Sequence, residues 1–209
     1  PSVPRAGAIS NACFTLEIYI NDYDLAMMFL FRKLTRQRGQ SMDPLQVSMT
    51  GVRMGERFVQ IGCYDRALLA GLAAKVGLSG TAAVAAFDDA EAKRAGGVGA
   101  KIGALIDTHK IEGRALPFDS DQFDMVVVDD TNGRFAAIAD DARLDYLREA
   151  KRIVRQGGRV EIVEGAVARA DAYDALRDLT TAGFRPARVL AERDGFRFLE
   201  GLRPQGNQQ

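Results

Sequence analysis

From residue 57 onward, short apolar runs alternate with longer stretches whose apolar residues recur at helical spacing. This alternation restricts the fold more than any single motif does. Residues 57–62 read as a strand. Leu68, Leu69, Leu72, Ala73 and Val76 then fall on one helix face, closed by Gly77 and Gly80. Residues 81–87 read as a second strand, 89–100 as a helix weakened by Gly96, Gly97 and Gly99, and 104–111 as a third strand. Residues 125–128 (Met-Val-Val-Val) contain no polar side chain, which fits a parallel strand covered on both faces. Leu144, Leu147, Ile153 and Val154 line a helix expected to stop at Gly157-Gly158. A fifth strand follows at 159–163 and a helix at 170–181.

Repeated strand–helix units of this kind build an α/β, Rossmann-like, doubly wound, mostly parallel sheet. Right-handed crossovers bring the carboxyl ends of the strands to one edge, where a ligand is expected. Residues 189–192 and 196–200 flank Arg193-Asp194-Gly195, a hairpin signal that adds an antiparallel end and makes seven strands. The domain is expected over residues 42–203, between an N-terminal arm and helix (1–41) and a short tail (204–209).

The 209 residues suffice for one full core, and 47% apolar content is too high for a disordered chain. Lysine plus arginine and aspartate plus glutamate both number 28. No global field therefore draws nucleic acid, and no nucleic-acid partner is expected. A single histidine, His109, excludes a multi-histidine metal centre. Cys13 and Cys63 lack metal-ligand spacing and read as reduced thiols of a cytoplasmic protein. Asp119, Asp121 and Asp124 read as a solvated turn, since their spacing fits no calcium loop. No apolar stretch is long enough to span a bilayer, and no secretory signal is visible.

Residues 11–38 have a helical pattern with a dense apolar block from Leu25 to Phe31, followed by Arg32, Lys33, Arg36 and Arg38. Three roles stand open for the block: a lid helix on its own domain, a contact with a membrane surface, and a partner-protein interface. Asp43-Pro44 then reads as an N-cap and first helical position.

Four segments, in this order, carry a resemblance. They are Gly55-Glu56-Arg57-Phe58-Val59-Gln60-Ile61-Gly62-Cys63; residues 113–124, with Leu116-Pro117-Phe118 and Phe123-Asp124 leading into the buried strand; residues 147–159, ending in Gly157-Gly158-Arg159; and Ala182-Gly183-Phe184 with the hairpin. Together they resemble the class I S-adenosylmethionine (SAM)-dependent methyltransferases of type 11. The group that includes the ubiquinone and menaquinone biosynthesis methyltransferases is the nearest. The resemblance implies a SAM cofactor and methyl transfer to a small or lipid-like, quinone-type acceptor. A second implied possibility is an inactive member retained as a binding or structural module in a larger, membrane-associated complex. A nucleotide-binding protein with another ligand is a third, because this fold edge accepts many.

The same resemblance marks the site residues. Gly62 stands at the first glycine of the cofactor turn, with Tyr64 and Arg66 at the next two glycine positions. Gln60 replaces an acidic residue of the first strand. Asp88 matches the acid that holds the ribose hydroxyls, and a helix N-cap is the alternative role. Arg114 stands where an acid often meets the adenine amino group, and an exposed turn residue is the alternative reading. Ala115 and Leu116 line the adenine side in the family pattern, and Asp129 faces the reaction edge, with a loop or cap role as the alternative for Asp129 and Asp130. Tyr64 either fills the nucleoside pocket or packs under a neighbouring loop. Asp65 reads first as a helix cap, Cys63 as packing, and His109 as structural or exposed.

Overall fold

The computed structural model describes residues 43–166 and 173–206, all within one compact unit, Ser41–Gln209. The apolar block from Leu25 to Phe31 lies outside the described residues. The element order is α1 (Pro44–Met49), β1 (Arg57–Ile61), α2 (Arg66–Val76), β2 (Thr81–Ala86), α3 (Asp89–Ile102), β3 (Ile106–Lys110), β4 (Phe123–Asp130), α4 (Asp140–Ile153), β5 (Val154–Glu164), α5 (Ala175–Thr181), β6 (Ala187–Arg193) and β7 (Phe196–Leu202).

The strands form one seven-stranded sheet in the order β3-β2-β1-β4-β5-β7-β6. Strands β1 to β5 pair in parallel; β7 runs antiparallel to both β5 and β6. From β1 the chain steps outward through β2 to β3, then returns to place β4 on the other side of β1. Val59 pairs with Val126 and Gln60 with Val127 across that central pair. The order reverses between β1 and β4, which is where such sheets open a ligand crevice.

Alternation along the strands divides the core between two faces. Val59, Ile61, Val126, Val128, Val160 and Ile162 pack with Leu147, Ala150, Ile153, Ala175 and Leu179 of α4 and α5. Phe58, Val84, Met125 and Val127 pack with Leu68, Leu69, Leu72 and Val76 of α2 and with Ala95 and Val98 of α3. Helix starts follow side-chain caps. Asp43, Asp65, Asp88 and Asp174 each accept from backbone N–H groups of the first turn.

Several boundaries differ from the sequence reading. Helix α3 runs on to Ile102 and ends at left-handed Gly103. Its Gly99 is required: a Cβ there would lie 2.9 Å from the Ala104 carbonyl oxygen. Strand β4 begins and ends two residues beyond its wholly apolar centre, so Asp129 and Asp130 belong to its buried carboxyl end. Helix α4 stops at Ile153, not at Gly157-Gly158. Val154 is already extended and pairs with Phe123, and an irregular register carries the chain through the glycines into β5. Gly158 fits this path because a Cβ would press to 2.7 Å from the Asp124 carbonyl oxygen.

One buried ion pair ties together the helices α4 and α5 of the first face. Arg143 of α4 reaches Asp178 of α5 at 2.6 Å, Asp140 at 2.8 Å, and the carbonyls of Ala136 and Ile138 at 3.1 and 2.7 Å. Both side chains of the Arg143–Asp178 pair are over nine-tenths buried. Removing the arginine strands a buried carboxylate and two carbonyls. Arg143→Ala is expected to cost about 3–5 kcal/mol of unfolding free energy in urea melts, whereas loss of an exposed pair such as Lys110–Asp89 should leave the melt almost unchanged.

Candidate functional site

The carboxyl ends of β2, β1 and β4 lie side by side, and each delivers one of the marked residues. β1 opens into the turn Gly62-Cys63-Tyr64-Asp65, after which α2 begins. Gly62 has φ +79°, which an L side chain rarely adopts. It also lies close under Phe87, whose ring edge would meet a Cβ at 3.4 Å. Tyr64 and Arg66 are not among the residues with positive φ. This turn therefore requires glycine at the first position only, and bulky residues at the other two meet no backbone strain.

A buried carboxylate organises the turn. Asp129 Oδ2 accepts from the backbone N–H groups of Tyr64 (2.7 Å) and Asp65 (2.8 Å), and from Gln60 Nε2 at 3.4 Å. Its Oδ1 accepts from the Thr131 hydroxyl (2.6 Å) and backbone N–H (3.2 Å). Burial raises the Asp129 pKa, and these donors oppose the rise. Gln60 Nε2 also donates to the Gly62 carbonyl at 3.0 Å. That orientation leaves Gln60 Oε1 buried without a partner.

Asp88 caps α3 by accepting from Glu91 N at 2.9 Å, and its other oxygen meets Arg134 Nη1 at 2.6 Å. The hydrogen bond from Arg134 is the main reason its pKa falls below the ordinary carboxylate value. Arg134 also reaches buried Glu91 at 2.9 Å and lies 5.0 Å over the Phe87 ring. Phe87 meets Tyr146 of α4 edge-on at 5.6 Å.

The remaining marked residues take other places. Tyr64 is 39% exposed, with Arg94 of α3 5.9 Å from its ring centre. It turns toward α3 rather than into the core of its own crevice. Arg114 is exposed and pairs with Asp141 and Asp145 of α4. Ala115 is exposed and bridges to Glu112. Leu116 is buried in the core, its N–H held by Glu149 and its carbonyl by Arg152. Asp65 caps α2 through Ala67 and Leu68. Burial pushes the Cys63 thiol up to about 12, which suits packing rather than nucleophilic chemistry. His109 is exposed on β3, stacked edge-on with Phe118 at 5.1 Å. Asp124 is clasped by Arg57 and Arg155, and Asp121 pairs with Arg203.

Sequence reasoning missed Arg134, Glu91, Phe87 and Tyr146. Only Glu91 left a signal: Asp88-x-x-Glu91 has the spacing of a capping box. Its carboxylate turns instead to the Phe87 N–H at 3.0 Å.

Asp130 faces the opposite side of the sheet from Asp129. It accepts from Phe135 N at 2.8 Å and Ala136 N at 3.2 Å, and so fixes the loop that carries Arg134. Burial, helped by Glu164 and Asp129, raises its pKa to about 7 despite those donors.

The residues present fit a SAM-like ligand in specific respects. Gly62 allows close backbone approach, Asp88 offers a carboxylate at the tip of β2, and Gln60 Oε1 is an orphan acceptor beside the turn. The fold and this edge define a Rossmann-like methyltransferase architecture. The chain belongs to the ubiE/COQ5 methyltransferase family, which matches residues 21–201. No curated protein matches it by sequence. Among solved structures it is similar to a SAM-dependent methyltransferase from Aquifex aeolicus (21% identity, TM-score 0.66, covering 84% of this chain and 97% of that one). It is also similar to a SAM-dependent O-methyltransferase from Thermotoga maritima (17%, 0.63, 84% and 71%). The [4+2]-cyclase SpnF shares the fold too (14%, 0.60, 80% and 84%), so likeness at this level speaks for architecture and not for the reaction.

Two outcomes follow from the carboxylates. Asp129→Asn places an amide against the Tyr64 and Asp65 N–H groups; a stability loss of about 2–4 kcal/mol is expected, read as a melting temperature lower by about 5–10 °C. For Asp130, the folded chain keeps the proton up to about pH 7, whereas an unfolded aspartate releases it near 3.8. The folded state therefore binds more protons in that window, and stability falls as pH rises through it. Glu161, buried with both oxygens unpartnered, acts in the same direction. Asp130→Asn should flatten the decline in unfolding free energy between about pH 4 and 8; an unchanged slope would assign the decline to Glu161 and Asp129, whose pKa values burial also raises.

Proposed function

We propose that this chain is a SAM-dependent methyltransferase acting on a small or lipid-like, quinone-type acceptor. The observation that carries the reading is the meeting of Gly62, Asp88 and Asp129 at the carboxyl ends of three adjacent strands, at the switch point of the sheet, in a member of the ubiE/COQ5 family. When bound, the cofactor supplies a methyl group on a sulfonium. The protein's part is to align that methyl with the acceptor and exclude water. Asp88 would hold the ribose hydroxyls. Gln60 Oε1 would accept from the cofactor's ammonium group, completing a buried group that now lacks a partner. Gly62, Tyr64 and Asp129 form the turn beneath, with Ala115 and Leu116 following β3 on the adenine side.

A second reading is favoured by one observation: Asp129 already takes up the turn's N–H groups, and Arg134 already engages Asp88. In that reading the fold is a non-catalytic subunit of a larger, membrane-associated assembly, with the Leu25 to Phe31 block as its contact.

Titration calorimetry with S-adenosylhomocysteine separates the two. The first reading expects saturable binding below millimolar ligand, weakened about tenfold or more by Asp88→Ala in a chain of unchanged circular dichroism. Absence of any heat from the wild-type chain at millimolar ligand would sink it.

A further inference from the structure

Arg134 has a position that the cofactor reading does not use. It comes from the loop after β4, yet its guanidinium reaches across to the tip of β2. There it binds Asp88 at 2.6 Å and Glu91 at 2.9 Å and lies 5.0 Å over the face of Phe87. Three features of a nucleoside seat are thus engaged by one side chain: the acid for the ribose hydroxyls, a second carboxylate beside it, and an aromatic face. The contact is anchored at both ends. Asp130 holds the loop through the N–H groups of Phe135 and Ala136, immediately after Arg134. Arg143 holds the carbonyls of Ala136 and Ile138. Glu91 is buried and fixed by the Phe87 N–H. The bridging side chains themselves remain within reach of solvent, Arg134 at 38% and Asp88 at 44% exposure. The Arg134–Asp88 contact can therefore open toward solvent while Arg134 stays on buried Glu91.

We propose that Arg134 is a built-in competitor for the ribose of the cofactor, pairing with Asp88 and leaving it when a nucleoside binds. This rests on the nucleoside crevice proposed above. The ligand class is an adenosine-containing molecule whose ribose diol donates to Asp88. Each binding event exchanges a charge-assisted pair for neutral hydroxyl donors, so the wild-type chain binds more weakly than its crevice would otherwise allow. The competitor sits on the loop after β4, so a change in that loop changes cofactor affinity with no direct contact to the cofactor.

The experiment compares wild type, Arg134→Ala and Arg134→Met by calorimetry with S-adenosylhomocysteine, and repeats the titration with uncharged adenosine at low and high salt. The methionine variant keeps an apolar stem over Phe87; because both variants leave buried Glu91 without its arginine, melting curves of all three chains separate a loss that reflects folding from one of binding. Both variants are expected to bind S-adenosylhomocysteine up to about fivefold more tightly than wild type. Salt weakens the partly exposed Arg134–Asp88 pair; wild-type affinity for adenosine should therefore rise with salt, while that of Arg134→Met stays flat. A merely structural role for Arg134 would not produce that difference. If wild type binds and both variants bind equally or more weakly, Arg134 is no competitor and the inference fails while the crevice stands. If none of the three chains binds at millimolar ligand, the cofactor reading fails and the inference falls with it.

Discussion

The Asp129 carboxylate is the interaction on which the site depends. It is buried at the end of a central strand, where an ionised group is tolerated only when donors surround it. The donors come from three directions: two backbone N–H groups of the turn after β1, the Gln60 amide, and both donor groups of Thr131. The turn is thereby fixed to the neighbouring strand rather than by its own glycines. This explains how Tyr64 and Arg66 fit where the family pattern has small residues. A turn built on glycine gains freedom to approach a ligand; this one has exchanged part of that freedom for a side-chain anchor, and keeps positive φ only at Gly62.

The same network gives a physical reason for Gln60. Its Nε2 stands 3.4 Å from Asp129 Oδ2 and 3.0 Å from the Gly62 carbonyl. An acidic side chain at this position would direct oxygen at two acceptors in a water-poor site and raise the cost of keeping Asp129 ionised. An amide supplies the donor instead. The charge missing from position 60 thus follows from the presence of Asp129, and the two residues form one solution to holding the turn. The orphan Gln60 Oε1 is the residue of that solution, and it is the feature of the turn that still asks for an external donor.

The architecture was readable because strand and helix periods alternate cleanly, and because a wholly apolar strand forces a sheet covered on both faces. Caps were readable for the same local reason: Asp43 and Asp65 act within three residues of themselves. The end of α4 was not, since Val154 leaves the helix to pair with Phe123, 31 residues earlier in sequence, and glycines further on looked like the stop. At the site, position in the fold was legible for Gly62, Asp88 and Asp129. Their partners were not. Arg134 lies 46 residues from Asp88, and Asp129 lies 65 residues from Tyr64; no local pattern encodes contacts closed only by the sheet. Arg114 shows the converse: its motif position suggested the adenine side, but Asp141 and Asp145 on the first turns of α4 offer nearer charge partners.

These observations bear on how activity and inactivity are to be distinguished in this fold. Replaced glycines alone are weak evidence of a lost function, because the turn here is unstrained at both replaced positions and its N–H groups are satisfied. The stronger constraint lies across the crevice, where Arg134 and Asp88 neutralise each other. A pocket filled by packed apolar side chains would have to rebuild its core to admit a ligand. A pocket bridged by a partly exposed ion pair needs only to break an interaction that water already weakens, on the order of 1 kcal/mol or less for such pairs. If the proposed crevice takes a nucleoside, opening the Arg134–Asp88 contact is a small cost on the scale of cofactor binding.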